Sequence, residues 1–337
     1  MKKRLLAMTL AGVMSVGLLA GCGGSSGESS TGSGTAGSSD GTYNISVIVK
    51  LTDGHFNKVM AGAQAYADEH DNVNVDILSP TSATAYDEQT NMIETSLGND
   101  GYDAVVISPL QSDTVATLVA STDKAIVALD TDFESDKKSA FVGTGNKDAA
   151  KSGGQAAAEE AKKRGADKPT AVILTGVQGD ETHDARLEGY KEGVEEAGGE
   201  VLEVQYCDAL ADKAANAMEA IIQKYPEGVD IVLSTNDDMV IAAAKIVQDS
   251  KSAAFADTIL CGFDGNQSAI EAIADGTVTM DVVQLGYDMG YKAVEAAVNV
   301  LEGKDVESFI DSGSKVVDAS NMDEYIANMK EIGVWEE

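Results

Sequence analysis

From Tyr43 onward, the chain alternates short apolar runs with amphipathic helical patterns. Continuous apolar runs flanked by helices are typical of parallel strands that are buried on both faces, and the alternation indicates βαβ units with right-handed crossovers. The runs form two series: 44–50, 73–78, 104–108 and 125–130, then 170–175, 200–206, 230–234, 258–263 and 277–283. Two series of four or five units predict an α/β fold with two doubly wound parallel-sheet domains.

In a doubly wound sheet, ligands bind beyond the carboxyl ends of the strands, so the residues after each apolar run are candidates for a site. These positions are rich in polar and aromatic residues. We expect Asp237 and Asp238 only to cap a helix. Capping does not explain Phe56 and Phe263, which lie beside carboxylates. The predicted ligand-binding residues are Lys50, Asp53, His55, Phe56, Asp130, Asp132, Arg186, Asn236, Phe263, Asp264 and Gln284.

The side chains of this set suit a neutral sugar. Carboxylate, amide and guanidinium groups can bond two adjacent hydroxyls at once, and an aromatic ring can cover the C–H face of the sugar. Four aspartates in the set outnumber Lys50 and Arg186. The excess of negative charge disfavours phosphates and uronates, and it is compatible with a neutral polyol or a cationic amine.

No motif of an enzyme or a cofactor binder follows a predicted strand of the sequence. No GxGxxG follows a strand, and no GxxxxGK[ST] motif for phosphates occurs. GxSxG occurs only within the Gly/Ser-rich stretch 23–41 and never after a predicted strand, and His55 and His183 are expected to be exposed, so nucleophilic catalysis lacks partners. Without HExxH or CxxC, we expect no metal site. The sequence therefore predicts a protein that is not an enzyme and needs no cofactor.

The net charge of the chain excludes two classes of partner, and its cysteines bear on whether a disulfide forms. The chain has 24 Lys and Arg against 56 Asp and Glu, a net charge of −32 that repels nucleic acid and anionic lipid. Beyond Cys22 only Cys207 and Cys261 occur. A disulfide between them is one alternative, but buried free thiols are favoured because each ends an apolar run.

The first residues predict export and a lipid anchor. Residues 2–4 are basic, and the apolar run 5–19 is shorter than the roughly 20 residues that a bilayer span needs. Leu19-Ala20-Gly21-Cys22 matches the lipobox of bacterial lipoproteins, although an ordinary secretory signal with an incidental cysteine is the alternative. We predict a signal peptide over 1–21, lipidation at Cys22, and a flexible Gly/Ser linker over 22–42. The protein would lie on the outer face of the cell membrane.

The chain resembles the type I sugar-binding proteins of bacterial ABC transporters, the ribose- and galactose-binding group, over residues 43–320. The segments that carry the resemblance are KLTDGHF, LDTD, HDARLEGY, STNDDMVIAA, the GFDG at 262–265 and VVQLGYDMG. The resemblance implies the periplasmic-binding-protein-like I fold, with three hinge segments between the domains. It implies one domain over 43–144 plus 285–312 and the other over 145–284 plus 313–337.

The resemblance also implies roles for individual residues of the first domain. Phe56 matches the aromatic that stacks on the sugar, with Lys50 and Asp53 beside it, and Asp130 matches the group that bonds the ring edge. Thr131 departs from the family, because ribose binders have an arginine at this position. The departure favours a hexose of the galactose or glucose kind over ribose.

In the second domain, Arg186 resembles a bidentate arginine, and Asn236, Asp264 and Gln284 match groups that bond the sugar. The family often has an aromatic near 209–210, where this chain has Ala-Leu. The implied function is a monomeric receptor that delivers a monosaccharide to the permease of an ABC transporter. A surface-anchored sensor that presents its closed form to a signalling receptor is the alternative, and a repressor of this fold is excluded by the predicted signal and linker over 1–42.

Overall fold

The computed structural model describes residues 41–335. The predicted signal peptide, the lipidation site Cys22 and nearly all of the predicted linker lie outside the described residues.

Six parallel strands form the first sheet, in the order β11-β5-β4-β3-β1-β2. Helices α1 and α9 pack on one face of this sheet and α2 and α3 on the other, and we call the sheet with these helices the first lobe. The strands are β1 (Tyr43–Ile48), β2 (Val73–Leu78), β3 (Ala104–Ile107), β4 (Ala125–Leu129), β5 (Lys138–Gly143) and β11 (Phe309–Asp311). The helices are α1 (Gly54–Glu69), α2 (Tyr86–Gly98), α3 (Ser112–Val119) and α9 (Gly286–Leu301).

The second sheet has the order β12-β10-β9-β8-β6-β7, in which only β12 is antiparallel. With its helices and a 3₁₀ turn at Ala253–Phe255 it forms the second lobe. The strands are β6 (Thr170–Thr175), β7 (Glu200–Tyr206), β8 (Ile231–Ser234), β9 (Ile259–Asp264), β10 (Met280–Gln284) and β12 (Ser314–Asp318). The helices are α4 (Asn146–Lys163), α5 (Glu181–Glu196), α6 (Ala211–Lys224), α7 (Asp237–Ser250), α8 (Gln267–Ala274) and α10 (Met322–Glu331).

The chain passes between the lobes three times. It leaves the first sheet after β5, returns after β10 to form α9, and leaves again between β11 and β12. The two sheets are wound alike, so β4 and β9 occupy equivalent positions in their sheets. The predicted fold of two doubly wound α/β domains is confirmed.

The apolar residues of the buried strands point to both faces of each sheet and fill a core on either side of it. In β1, Ile45 and Val47 contact the α1 and α9 side, whereas Ile48 contacts the α2 and α3 side. The two helices on the first side approach closely at Gly62, where a Cβ atom would lie 1.9 Å from the carbonyl oxygen of Tyr287. A side chain at that position would therefore push α1 and α9 apart.

The structure also contains strands that the sequence patterns did not predict. β5 includes Lys138 and Ser139, and β11 has only three residues, so neither has a continuous apolar run. Cys207 and Cys261 are buried and free, as favoured from the sequence. Among residues 41–335, no helix combines the length and the apolar character that a membrane span requires.

Candidate ligand-binding site

A cavity of about 310 Å³ lies where the strand ends of the two lobes face each other. Its wall is almost entirely polar, and it includes seven of the eleven predicted residues. The lining residues are Lys50, Asp53, His55, Asp130, Thr131, Asn146, Asp180, Thr182, His183, Arg186, Asp264, Asn266 and Gln284.

Asp130 is the centre of the first lobe's side of the cavity. It follows β4 directly, and its Oδ2 lies 3.4 Å from the ammonium of Lys50. His55 Nε2 donates to Asp130 Oδ1 at 2.9 Å, and Thr131 Oγ1 donates to Oδ2 at 3.1 Å. Lys50 also donates to the Thr131 hydroxyl. These partners therefore fix the position of the carboxylate, which remains in the cavity wall. We call a carboxylate that is held in this way by a cation and a hydrogen-bond donor a braced carboxylate.

These partners determine the protonation of Asp130. Burial by itself would raise the pKa of its carboxyl, but the charge of Lys50 and the hydrogen bond from His55 outweigh burial and lower the pKa well below its usual value. Asp130 is therefore ionised at neutral pH and acts only as a hydrogen-bond acceptor.

Asp264 has the corresponding role in the second lobe. Its Oδ1 accepts from Arg186 Nη1 at 3.0 Å and from Gln284 Nε2 at 2.8 Å. The carboxylate ends β9, Gln284 ends β10, and Arg186 lies in the second turn of α5. The site thus has a second carboxylate that is braced by a cation.

Arg186 is almost completely buried, with only 6% of its surface exposed. Its Nε donates to Asn146 Oδ1 at 2.8 Å, and its Nη1 also donates to the Thr235 carbonyl at 2.9 Å. The guanidinium lies 3.8 Å above the ring of Phe263. Among the described residues, Nη2 has no hydrogen-bond partner, so this donor is available to a ligand.

The two braced carboxylates occupy equivalent positions in similar sheets. Asp130 follows β4 and Asp264 ends β9, and both have a positive φ, 63° and 125°. Such backbone conformations cost about 1–3 kcal/mol in a residue other than glycine and are concentrated at functional sites. Each lobe therefore presents one carboxylate from a strained strand end.

Both histidines of the cavity correct the expectation of exposure. His55 is 8% exposed because it lies between Asp130 and the edge of the Phe56 ring. His183 is half-buried, and its Nδ1 bonds Thr235 Oγ1 at 2.8 Å. Burial, and then the charge of Arg186, lower the pKa of His183. The imidazole of His183 is therefore neutral at neutral pH.

Two predicted residues of the first lobe lie outside the cavity wall. Phe56 is 4% exposed and packs in the core between the first sheet, α1 and α9, so it does not form the expected stacking surface. Asp132 pairs with Lys138 at 2.6 Å and accepts from the amide of Phe133, because the chain turns away from the cavity after Thr131.

Two predicted residues of the second lobe lie outside it as well. Phe263 has no exposed surface, and its ring packs against the guanidinium of Arg186. Asn236 is the N-cap of α7, where its Oδ1 accepts from the Met239 amide and its Nδ2 donates to the Ala209 carbonyl. Asn236, and not Asp237, is therefore the residue that caps α7. The expectation that Asp237 only caps the helix is wrong.

Six lining residues are not among the predicted ones; Thr131 was noted from the sequence only as a departure from the family, and the other five were missed. Asn146 begins α4 directly after β5, so recognising 138–143 as a strand would have placed it at the rim. Asp180, Thr182 and His183 lie at the start of α5, and Asn266 lies at the start of α8, within segments that follow predicted strands. Among residues 41–335, no group of three or more His, Cys, Asp or Glu is arranged to hold a metal ion.

The family profile described as "Periplasmic binding protein domain" matches residues 45–305 of this sequence. The chain belongs to this family. The match covers most of both lobes and every lining residue of the cavity, and it confirms the predicted resemblance. Because the family consists of binding proteins, the prediction that the chain is not an enzyme is also confirmed.

Relatives within this family of periplasmic binding proteins are named for sugars. The chain is 30% identical to the ribose import binding protein of Bacillus subtilis over 232 residues, which are 68% of this chain and 72% of the relative. It is 25% identical to GanP, a glucose-galactose binding protein from Geobacillus stearothermophilus, with a TM-score of 0.70 over 83% of this chain and 98% of that one. AraP, an arabinose binding protein from the same organism, shares the fold with a TM-score of 0.75 at 18% identity, over 84% of this chain and 99% of that one.

Proposed function

We propose that this protein captures a neutral monosaccharide between its two lobes and delivers it to the permease of an ABC transporter. The observation that carries the proposal is the pair of braced carboxylates, Asp130 and Asp264, at equivalent strand ends of a polar cavity. Each can accept hydrogen bonds from adjacent hydroxyls, while Arg186 can donate to a ring or hydroxyl oxygen.

The charges of the cavity favour a neutral ligand. Lys50 and Arg186 are already paired with Asp130 and Asp264, and the wall has two further carboxylates, Asp53 and Asp180. An anionic ligand would meet this excess of negative charge without a free cation in the wall. A sugar hydroxyl, in contrast, can donate to a carboxylate and accept from an amide in the same contact.

We favour a hexose of the galactose or glucose kind over ribose. Thr131 is a short residue where ribose binders have an arginine, and Lys50 bonds it instead of projecting further into the cavity. The smaller side chain leaves room for an exocyclic hydroxymethyl group. The relationship to a glucose-galactose binding protein agrees with this choice, and the relationship to a ribose import binding protein makes ribose the sugar to compete against it.

We also propose that ligand closes the two lobes as separate domains, 43–144 plus 285–312 and 145–284 plus 313–337. The three passages of the chain between the sheets support these limits. The lipobox-like sequence ending at Cys22 supports a lipoprotein that is anchored to the outer face of the membrane, and we propose that it acts as a monomer.

Calorimetric titration with galactose, glucose, ribose and simple cationic amines tests the proposal. In Arg186→Ala, we expect binding to weaken by more than about 2 kcal/mol, roughly thirtyfold, because hydrogen bonds to charged groups contribute about 1.5–3 kcal/mol. Asp238→Ala is the matched control, since Asp238 is an exposed residue outside the cavity wall.

The possible outcomes separate the parts of this proposal. Tighter binding of ribose by tenfold or more would refute the hexose preference and leave the sugar receptor intact. Binding of amines alone, or equal losses in the Arg186 and Asp238 variants, would refute the sugar site itself.

A further inference from the structure

Two buried aspartates lie behind the cavity and take no part in its wall. Asp237, the first residue of α7, and Asp281, the second residue of β10, have no exposed surface. Among residues 41–335, Asp237 Oδ1 and Asp281 Oδ2 have no hydrogen-bond donor, although both atoms are fully buried. A buried carboxylate oxygen without a donor is costly, so these two atoms require an explanation.

The two unpartnered oxygens face the same point. Asp281 lies opposite Gly262 in the β9–β10 ladder, and a Cβ atom on Gly262 would lie 2.3 Å from Asp281 Oδ2 and 2.7 Å from Asp237 Oδ1. The missing side chain of Gly262 therefore creates the space in which the two carboxyl groups meet.

The other oxygen of each carboxyl group holds the loop that follows β9. Asp281 Oδ1 accepts from the Gly265 amide at 3.0 Å, and Asp237 Oδ2 accepts from the Asn266 amide at 2.7 Å. The residue before these two amides is Asp264, the second braced carboxylate of the cavity. The buried pair thus holds the backbone that positions Asp264.

The nearby positive charge can balance only one ionised carboxylate of the pair. Lys58 of α1 is 4% exposed, and its ammonium donates to the Gly265 carbonyl at 2.9 Å. Asp264 is already paired with Arg186. One ammonium balances one of the two buried carboxylates, and the second has no counter-ion. The titratable groups that face the pair are Lys58 of α1, Tyr190 of α5, Cys261 and Asp264 of β9, and Tyr325 of α10.

We propose that Asp237 and Asp281 share a single proton, and that this bond holds the 264–266 loop in the conformation that places Asp264 in the ligand site. A proton between Oδ1 of one residue and Oδ2 of the other satisfies both buried oxygens. It also reduces the charge of the pair to the one unit that Lys58 balances. Asp237 and Asp281 are thus positioning residues, which act on the ligand through Asp264.

The acidity of the two groups agrees with a shared proton. Burial, and then the charge of Asp281, raise the pKa of Asp237 well above its usual value. Burial also raises the pKa of Asp281, to about 6. Asp237 therefore retains a proton at neutral pH while Asp281 is ionised, as two carboxyl groups in one site require.

Asparagine substitutions test the proton directly. In Asp237→Asn or Asp281→Asn, the amide NH₂ replaces the shared proton, and the remaining oxygen still accepts from the loop. In the double variant, two NH₂ groups face each other and Lys58 loses its counter-ion. A shared proton therefore predicts two tolerated single variants and a damaging double variant. Asp238→Asn, on the exposed side of the same helical turn, is the matched control.

Hydrogen exchange measures how firmly the 264–266 loop is held, and infrared spectroscopy detects the shared proton. Neither measurement needs a ligand. We expect the amides of Gly265 and Asn266 to exchange within about threefold of wild type in each single variant and at least tenfold faster in the double variant. At neutral pH, the infrared C=O band of a protonated carboxylic acid should be present in wild type and absent from Asp237→Asn, in which Asp281 alone remains and is ionised.

Galactose affinity, measured by calorimetry, should follow the same order as exchange. This last measurement rests on the proposed function, whereas the exchange and infrared measurements do not, so a protein that binds no galactose still tests the pair. Absence of the acid band in wild type would overturn the shared proton. Wild-type exchange in the folded double variant would overturn the positioning role.

Discussion

The pairing of Arg186 with Asp264 leads to the sharpest prediction on stability. The two side chains are 7% and 20% exposed, and Nη1 and Oδ1 are 3.0 Å apart. Arg186→Ala removes this bond, the bonds to Asn146 and to the Thr235 carbonyl, and the stacking on Phe263. Loss of one partner of a buried ion pair costs about 3–5 kcal/mol, because the other charge is left unpaired.

A double-mutant cycle isolates the contribution of the pair itself. With Arg186→Ala, Asp264→Ala and the double variant, we expect a coupling energy of about 1.5–3 kcal/mol in urea unfolding, the range for hydrogen bonds to charged groups. Lys147 and Glu188 form a control pair at the same 3.0 Å distance, but their side chains are 41% and 67% exposed. The control pair should show no measurable coupling, because solvent screens it.

Equal coupling in the two cycles would refute the reasoning, because burial is the property that distinguishes the pairs. A coupling below about 0.5 kcal/mol at Arg186 and Asp264 would show that Gln284 and solvent replace the arginine. Refolding and far-ultraviolet circular dichroism establish that each variant retains the native fold.

Three further predictions concern packing, acid stability and closure. Gly62→Ala should destabilise the protein by about 1–3 kcal/mol in urea unfolding, because its Cβ meets the Tyr287 carbonyl, whereas Gly98→Ala, with no atom within 4 Å, should have little effect. Because the pKa of Asp130 is lowered in the folded state, its stabilisation is present above about pH 4 and is lost as the pH falls; the free energy of unfolding should therefore fall less between neutral pH and about pH 3 in Asp130→Asn than in wild type. Equal acid sensitivity of the two proteins would contradict the ion pair with Lys50. Small-angle scattering should show a smaller radius of gyration with saturating galactose, and an unchanged radius with bound sugar would exclude closure of the lobes.

The fold was predictable because burial on both faces of a parallel sheet leaves a direct pattern in the sequence. The predicted run 73–78 coincides with β2, and the run 170–175 coincides with β6. The pattern fails at β5, β11 and β12, where polar residues interrupt the apolar run or the strand has only three residues. Burial alone does not decide which strands a sequence reveals, because the edge strand β2 was predicted although most of it is half-buried or exposed.

The candidate site was predictable in its location and only partly in its members. Asp130 and Asp264 follow apolar runs, so the sequence alone places them at strand ends. The direction of Phe56 depends on the rotation of α1: successive residues of a helix point about 100° apart, so His55 lies in the cavity wall while Phe56 enters the core.

Residue type and periodicity, which are local, determined the α/β architecture, the strand ends that face the cavity, and the polar character of its wall. Only the tertiary structure decided which charges meet. Arg186 is 78 residues from Asp264, and Asp237 meets Asp281 only because Gly262 on the strand between them has no side chain. Apolar burial is repeated at every strand and leaves a periodic pattern, whereas an ion pair or a shared proton depends on a single distance between two atoms, which no local pattern records.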